Sequence, residues 1–217
     1  MSEDIIRPME YQRASMVESS VLEGIRNVAS RIADALSEIK ASLEDAARGM
    51  IEAVRIRSER LWNARYDIEH LLDEHHTHFV RTRMGLENRD LYAESFNALR
   101  RALASLTDIS NALSSLVADP ELRKESVLSF ASQIVDEIRA SISSLVESTM
   151  ILLDNPRRGC ELLRRAISSE REVERIYRSS IIEAKAISNP LMGALLSLTR
   201  SITSLARSLE FIGLQKV

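Results

Sequence analysis

Leu152-Leu153-Asp154-Asn155-Pro156-Arg157-Arg158 is a break between two long stretches whose apolar residues recur at helical spacing. Proline lacks a backbone donor and clashes with the preceding turn, so it sits at helix starts and not inside helices. Ala118-Asp119-Pro120 and Ser188-Asn189-Pro190 read the same way. Little else would stop a helix, because the 217 residues hold only 6 Gly and 4 Pro. The breaks cut the chain into helices of about 30 residues, each about 45 Å long at about 1.5 Å per residue. Helices of that length hide apolar stripes only against one another, which predicts a bundle.

The expected elements follow from the stripes. Residues 1–10 lack periodicity and carry Pro8, so they are expected to form a flexible tail. A first helix over 11–40 uses Val17, Val21, Ile25, Val28, Ile32, Leu36 and Ile39. Ser42-Leu43-Glu44-Asp45 has an acid three residues after a serine, close to a capping box, and is expected to open a second helix over 43–81. Met50, Val54, Leu61, Ile68, Leu72, His75 and Phe79 lie along its apolar side. Gly85 marks the next turn, and further helices are expected over 88–117, 121–153, 157–187 and 191–211. The fold class is all-α: six long helices as two antiparallel three-helix bundles, one unit over 11–118 and the next over 119–217. Setting the turn Ala41-Ser42 over Asn155-Pro156 places Ala53-Val54 over Ala166-Ile167 and Ile68 over Ile181, a faint internal repeat.

Composition narrows the function classes. Hydrophobic residues are 45% and aromatics 4%, so the core is aliphatic. A net charge of −3 and a pI near 5.9 argue against nucleic-acid binding, which needs a basic face. The lone Cys160 excludes an internal disulfide and suits a reducing compartment. No apolar run approaches the about 20 residues that cross a bilayer. The acidic start Met-Ser-Glu-Asp is no signal peptide. The expected location is the cytoplasm, with room for a peripheral position at the inner face of the membrane. Only four of the 29 basic residues are Lys (Lys40, Lys124, Lys185, Lys216). That arginine skew fits a thermophile, and equally a GC-rich coding bias.

Three clusters carry chemistry. His70, His75, His76 and His78 fall within nine residues. Residues three, four and seven apart share a helix face, so Glu69, Asp73 and His76 align, as do His70, Glu74 and His78. Imidazole with carboxylate suits zinc, iron or nickel. Set against this, solvated faces account for the same residues, and His75 falls on the apolar stripe. Glu170 and Glu174 lie one turn apart and could hold a hard cation if a facing helix supplied more oxygen ligands. Interleaved Arg171, Arg175 and Arg178 make a charged surface stripe the commoner reading. Arg157, Arg158, Arg164 and Arg165 make the start of the fifth helix basic, where an anion could bind. No phosphate-binding glycine loop occurs, and the histidines are confined to one helix, so no nucleophile and base pair can be assembled. Nothing asks to be an enzyme.

Two stretches resemble the PhoU-like accessory proteins linked to Pit-type inorganic phosphate transporters. Residues 152–209 carry Asp154-Asn155-Pro156, then Glu170-x-x-x-Glu174-x-Ile176-Tyr177-Arg178, then Asn189-Pro190 and a closing helix. Glu87-Asn-Arg89-Asp90-Leu91-Tyr92 is similar to the motif that opens that family's third helix. The resemblance implies paired three-helix bundles and, in better-known members, metal clusters on acidic pairs of the second and third helix of each unit. Carried over, only Glu170 and Glu174 match, as a weak and degraded metal motif. The other acids would fall near Thr199 and Thr203, near Leu99 and Leu103 or Thr107 and Asn111, and on Asp67 alone. Too few anionic ligands remain for a complete cluster, so no cofactor is expected, although a bound divalent or iron ion stays open.

The function this implies is a non-catalytic regulator or accessory of inorganic phosphate transport, acting by protein–protein docking. The implied partner is a phosphate permease or its signalling partner, with no nucleic acid, no direct membrane insertion, and a homodimer left open. The alternatives are a metal-binding bundle using the segment from His70 to His78, or a plain helical scaffold. A ferritin-like site needs Glu-x-x-His on two helices, and no histidine here has Glu three residues before it.

Overall fold

The computed structural model describes residues 3–184 and 189–217, with side chains from Met16 onward except Glu121 and Ala184. The described residues form six long helices and no strand: α1 (Glu3–Ala47), α2 (Ile51–Thr82), α3 (Arg89–Ala118), α4 (Glu125–Ile151), α5 (Pro156–Ala184) and α6 (Pro190–Leu214). Short 3₁₀ turns at Arg83–Gly85 and Pro120–Leu122 lie between α2 and α3 and between α3 and α4. The expected end of the fifth helix, at Ile187, lies outside the described residues.

Two of the three X-Pro breaks are α-helix starts with a chemical reason, whereas Pro120 opens a 3₁₀ turn and α4 begins at Glu125, not at the expected 121. Asn155 Oδ1 accepts from the Arg158 amide at 3.1 Å, and Pro156 is the first residue of α5. Asn189 Oδ1 accepts from Leu191 and Met192 amides at 3.0 and 3.3 Å, and Pro190 opens α6. The asparagine satisfies orphan donors, and the proline sits where its missing donor costs nothing.

Two expectations are corrected. Helix α1 begins at Glu3, so residues 3–10, expected as a tail, are helical. Pro8 removes one backbone bond close to the helix end, and one missing bond there does not stop the helix. The turn after α1 is not at Ala41-Ser42. Ser42 Oγ instead donates to the Glu38 carbonyl at 2.8 Å, a bond made inside a continuing helix. The turn is at Gly49, whose φ of 73° is left-handed. There the Met50 amide donates to the Asp45 carbonyl at 2.8 Å and the Gly49 amide to Ala46 at 3.1 Å. That paired bonding is a Schellman C-cap, which favours glycine. Met50, counted on the apolar stripe, is half exposed because it lies in this turn.

Within each half, consecutive helices pack on one another: α1 on α2 and α2 on α3, then α4 on α5 and α5 on α6. The halves meet along two seams, α1 against α4 and α3 against α6. Both seams are antiparallel. Lys40, late in α1, bonds Asp136 near the middle of α4 at 2.5 Å, while Leu22 and Arg26, earlier in α1, lie beside Thr149 and Met150 at the end of α4, and Arg101 and Ser105 of α3 reach Ser204 and Ser197 of α6 in reverse order. First helix therefore meets first helix and third meets third, leaving α2 and α5 on opposite outer faces. One apolar cluster runs through all six helices, including Ile25, Ile32, Leu36, Phe96, Leu106, Ile138, Leu163 and Leu198. Each such side chain contributes about 1.5–3 kcal/mol when removed from water. Serines line the helix contacts, and their hydroxyls donate to carbonyls one turn back or across, as Ser141 of α4 does to Ala166 of α5 at 3.0 Å. Small residues there let the helices approach closely.

Candidate functional site

The acidic motif of α5 faces α6. Glu170 Oε2 accepts from Arg207 Nη2 at 2.8 Å, and Glu174 lies 3.9 Å from Arg200 and 3.8 Å from Arg178. The pairs run in register across an antiparallel seam: 170 with 207, 174 with 200. Glu172 turns outward to Arg175, whose hydrogen bonds hold its carboxyl below the usual carboxylate range. Arg164 extends the seam by donating to Glu210 at 2.7 Å. Thr199 and Thr203, where facing acids would fall, are buried, and the Thr199 hydroxyl donates to the Leu195 carbonyl at 2.9 Å. The carboxylates thus face guanidinium groups where a cation site would present further oxygens. Arg200 and Arg207 went unnoticed in the sequence. The available signal was their seven-residue spacing, which places both on one face of α6.

The four histidines diverge. His70 lies on the outer side of α2, beside a groove. His75 abuts Gly24 of α1, where an added Cβ would lie 2.8 Å from its Cγ, and its buried Nε2 has no hydrogen-bond partner. His76 turns to α3. Its ring meets Phe96 edge-on with centroids 5.4 Å apart, and Nδ1 lies 3.2 Å from Arg100 Nη2. Partial burial, with the nearby Arg100 charge, lowers its pKa against the opposing pull of Asp73. His78 Nε2 lies 3.1 Å from Ser20 Oγ. Among the described residues no three His, Cys, Asp or Glu side chains converge as metal ligands.

The groove beside His70, about 510 Å³, runs between α1 and α2. Ala35, Ala64, Ile68 and Leu71 form its floor, and Arg31, Asp34, Glu38, Asp67 and His70 its rim. It exists because α2 is thinly packed: of its 32 residues only Val54, Ser58, Leu61, Ile68, Leu72 and Phe79 are buried. Arg57 ties α2 to α1 above the groove, donating to Asp45 at 2.7 Å and to Glu38 at 3.1 Å. Those bonds raise the pKa of Arg57 further.

At the opposite end of α1, Glu18 is buried and bonds Lys216 Nζ at 2.7 Å and Tyr92 Oη at 3.5 Å. Burial and the Glu18 charge push the Tyr92 phenol well above its usual range. The cluster fixes the end of the chain after α6 against α1 and α3. Cys160 is free and buried, its thiol pushed up by burial, with Sγ 3.7 Å from the Glu210 carbonyl oxygen. No helix among the described residues is long and apolar enough to cross a membrane.

No family model matches the chain. No curated protein matches it either. Among solved structures, the chain is similar to the phosphate transport system regulatory protein PhoU from Streptococcus pneumoniae, at 8% identity and a TM-score of 0.47, over 92% of this chain and 93% of that one.

Proposed function

We propose that the chain is a non-catalytic accessory of inorganic phosphate transport that docks helix faces on a phosphate permease or its signalling partner. The observation that supports this best is the arrangement of the acidic motif. Glu170-x-x-x-Glu174-x-Ile176-Tyr177-Arg178 keeps the pattern of the family it resembles, but its carboxylates hold α5 to α6 through Arg207 and Arg200. A motif used as a clamp leaves the working surface to the outer helix faces. On this reading the protein sits at the inner face of the membrane, held by a membrane-embedded partner.

The test is affinity capture from membranes of the source organism with the tagged chain, washed at moderate salt and identified by mass spectrometry. Recovery of an inorganic phosphate permease, or of a signalling protein that itself binds one, is the expected result. Recovery of nucleic acid alone, lost as salt rises, would overturn the reading.

A further inference from the structure

The outer face of α5 is basic, and the rim of the groove between α1 and α2 is acid-rich, with Asp34, Glu38 and Asp67 against Arg31. All seven arginines of α5 are exposed (Arg157 to Arg178), against only Glu161 and Glu183 among the exposed acids of that helix. Four of the seven are held by local carboxylates: Arg158 by Glu161, Arg164 by Glu210, Arg175 by Glu172 and Arg178 by Glu174. Arg157, Arg165 and Arg171 have no ion-pair partner among the described residues. They spread along about 21 Å of the ridge at about 1.5 Å per residue. On the opposite outer face, Asp67 and Glu74 of α2 are exposed and likewise lack an ion-pair partner among the described residues, as do Arg60 and Arg81, so the acidic excess lies at the groove and not along the whole helix. Asp34 is held only by a 3.8 Å contact to Arg31, with both side chains about two-thirds exposed or more. Asp34 and Asp67 lie on the rim of the α1/α2 groove, above its apolar floor.

We infer that the arginine ridge of α5 in one copy docks against the acidic groove between α1 and α2 of a second copy. Arginine suits such a seat. Its methylene stem lies on apolar surface while its planar head reaches the rim carboxylates. The second copy is the occupant because each copy carries both complementary surfaces. A molecule with a net charge of only −3 is not kept apart by its overall charge. The inference rests on this charge placement and not on the docking reading above. Because α2 and α5 lie on opposite faces, the contact is head-to-tail and does not close in a pair. Assembly should therefore grow with concentration instead of stopping at a dimer. It should also weaken with salt, since exposed charges are screened over about 3 Å at 1 M but about 30 Å at 10 mM.

The experiment is multi-angle light scattering of the purified full chain at about 10 mM and about 1 M salt, with two variants. One carries Arg165→Glu and Arg171→Glu, the other Asp34→Arg and Asp67→Arg. Circular dichroism confirms that both stay helical; all four positions are exposed, so no core contact is lost. The wild-type mass should rise past two copies at low salt and fall to one copy at high salt. Each variant alone should stay a monomer at low salt, its apparent dissociation constant raised tenfold or more. An equal mixture should assemble again, because the acidic ridge of one meets the basic groove of the other. A wild type that is monomeric at low salt overturns the inference. So does a two-copy species that survives 1 M salt, a variant that still assembles alone, or a mixture that does not assemble.

Discussion

Helices α2 and α5 hold equivalent outer places in the two halves, yet they are attached in different ways. At the start of α5 the chain is drawn in by glycine. A Cβ on Gly159 would lie 2.7 Å from Leu152 Cδ1 and 3.1 Å from the Leu152 backbone Cα, and the Gly159 carbonyl accepts from Ser148 at 3.0 Å. A Cβ on Gly213 of α6 would meet Cys160 Sγ at 2.7 Å and Leu152 at 2.8 Å. Leu152, Cys160 and the two glycines form a tight knot where α4, α5 and α6 meet. Helix α2 has one such contact, Gly24 against the His75 ring, and beside it lies an open groove. One topology thus supports a close-packed outer helix and a loosely held one. The loosely held helix is the one that leaves space for a ligand or a neighbour.

Alanine substitutions measure that difference most directly. Gly159→Ala forces a side chain against backbone and a fully buried Leu152, so overpacking should cost about 1–3 kcal/mol, even after the helix-propensity gain. At about 2–4 °C of Tm per kcal/mol for a chain this size, the melting midpoint should drop by several degrees. Gly24→Ala meets His75 Cγ, Nδ1 and Cβ at 2.8, 2.9 and 3.1 Å, side-chain atoms with no backbone among them. Its loss should be smaller, because a side chain yields more readily than backbone, and it is offset in part by the about 1 kcal/mol that alanine gains over glycine inside a helix. Gly193→Ala, with nothing within 4 Å, should be neutral or stabilising. Equal melting points for Gly159→Ala and Gly24→Ala would break the contrast between the two helices.

Much of this frame was legible in the sequence. Pro120, Pro156 and Pro190 mark breaks because a missing donor acts locally, and the apolar stripes of α1 and α3 are buried because 3.6-residue periodicity is also local. The errors arose where two local signals competed. Ser42 with an acid three residues on looks like a cap, but its hydroxyl bonds back to Glu38 and the helix runs on to Gly49. Setting Ala41-Ser42 over Asn155-Pro156 therefore compares a stretch still inside α1, shortly before its end, with a true turn. What joins elements distant in sequence was not legible at all. Nothing in α1 announces that Gly24 receives His75, or that Glu18 meets Lys216. The Glu170 and Glu174 pair was visible, but its arginine partners required knowing that α6 faces α5 in antiparallel register.

The α5 seam yields a smaller effect than the glycine knot. Exposed ion pairs contribute about 0–1 kcal/mol each. A Glu170→Ala, Glu174→Ala double variant should therefore lose at most about 1–2 kcal/mol in a urea melt. Its metal content by plasma mass spectrometry should equal that of the wild type, because guanidinium groups already neutralise these carboxylates. Stoichiometric iron or zinc in the wild type, removed by the double change, would show that the acids serve an ion and not the seam.

The smallest effect probes how α2 is held to α3, through His76. An arginine head only donates, so the His76 Nδ1 facing Arg100 at 3.2 Å is the acceptor, and the ring proton sits on Nε2. Protonating the ring would place two cations side by side on a partly desolvated surface between Phe79 and Phe96. Asp73, on the same face of α2, offsets this only in part, and the folded-state pKa lies below the usual histidine value. The unfolded chain then binds the proton more readily than the folded one. Stability from this site is complete above the unfolded value near 6.5 and is lost as pH falls toward the lower folded value. His76→Gln removes the titration while keeping a polar group that can accept from Arg100. The wild type should lose more Tm than this variant between about pH 7.5 and about pH 5, with the gap widest at low salt, where the Arg100 charge is least screened. Parallel pH profiles for the two proteins would mean that His76 titrates as it does in the unfolded chain, and that α2 is held to α3 by the Phe79 and Phe96 contact alone.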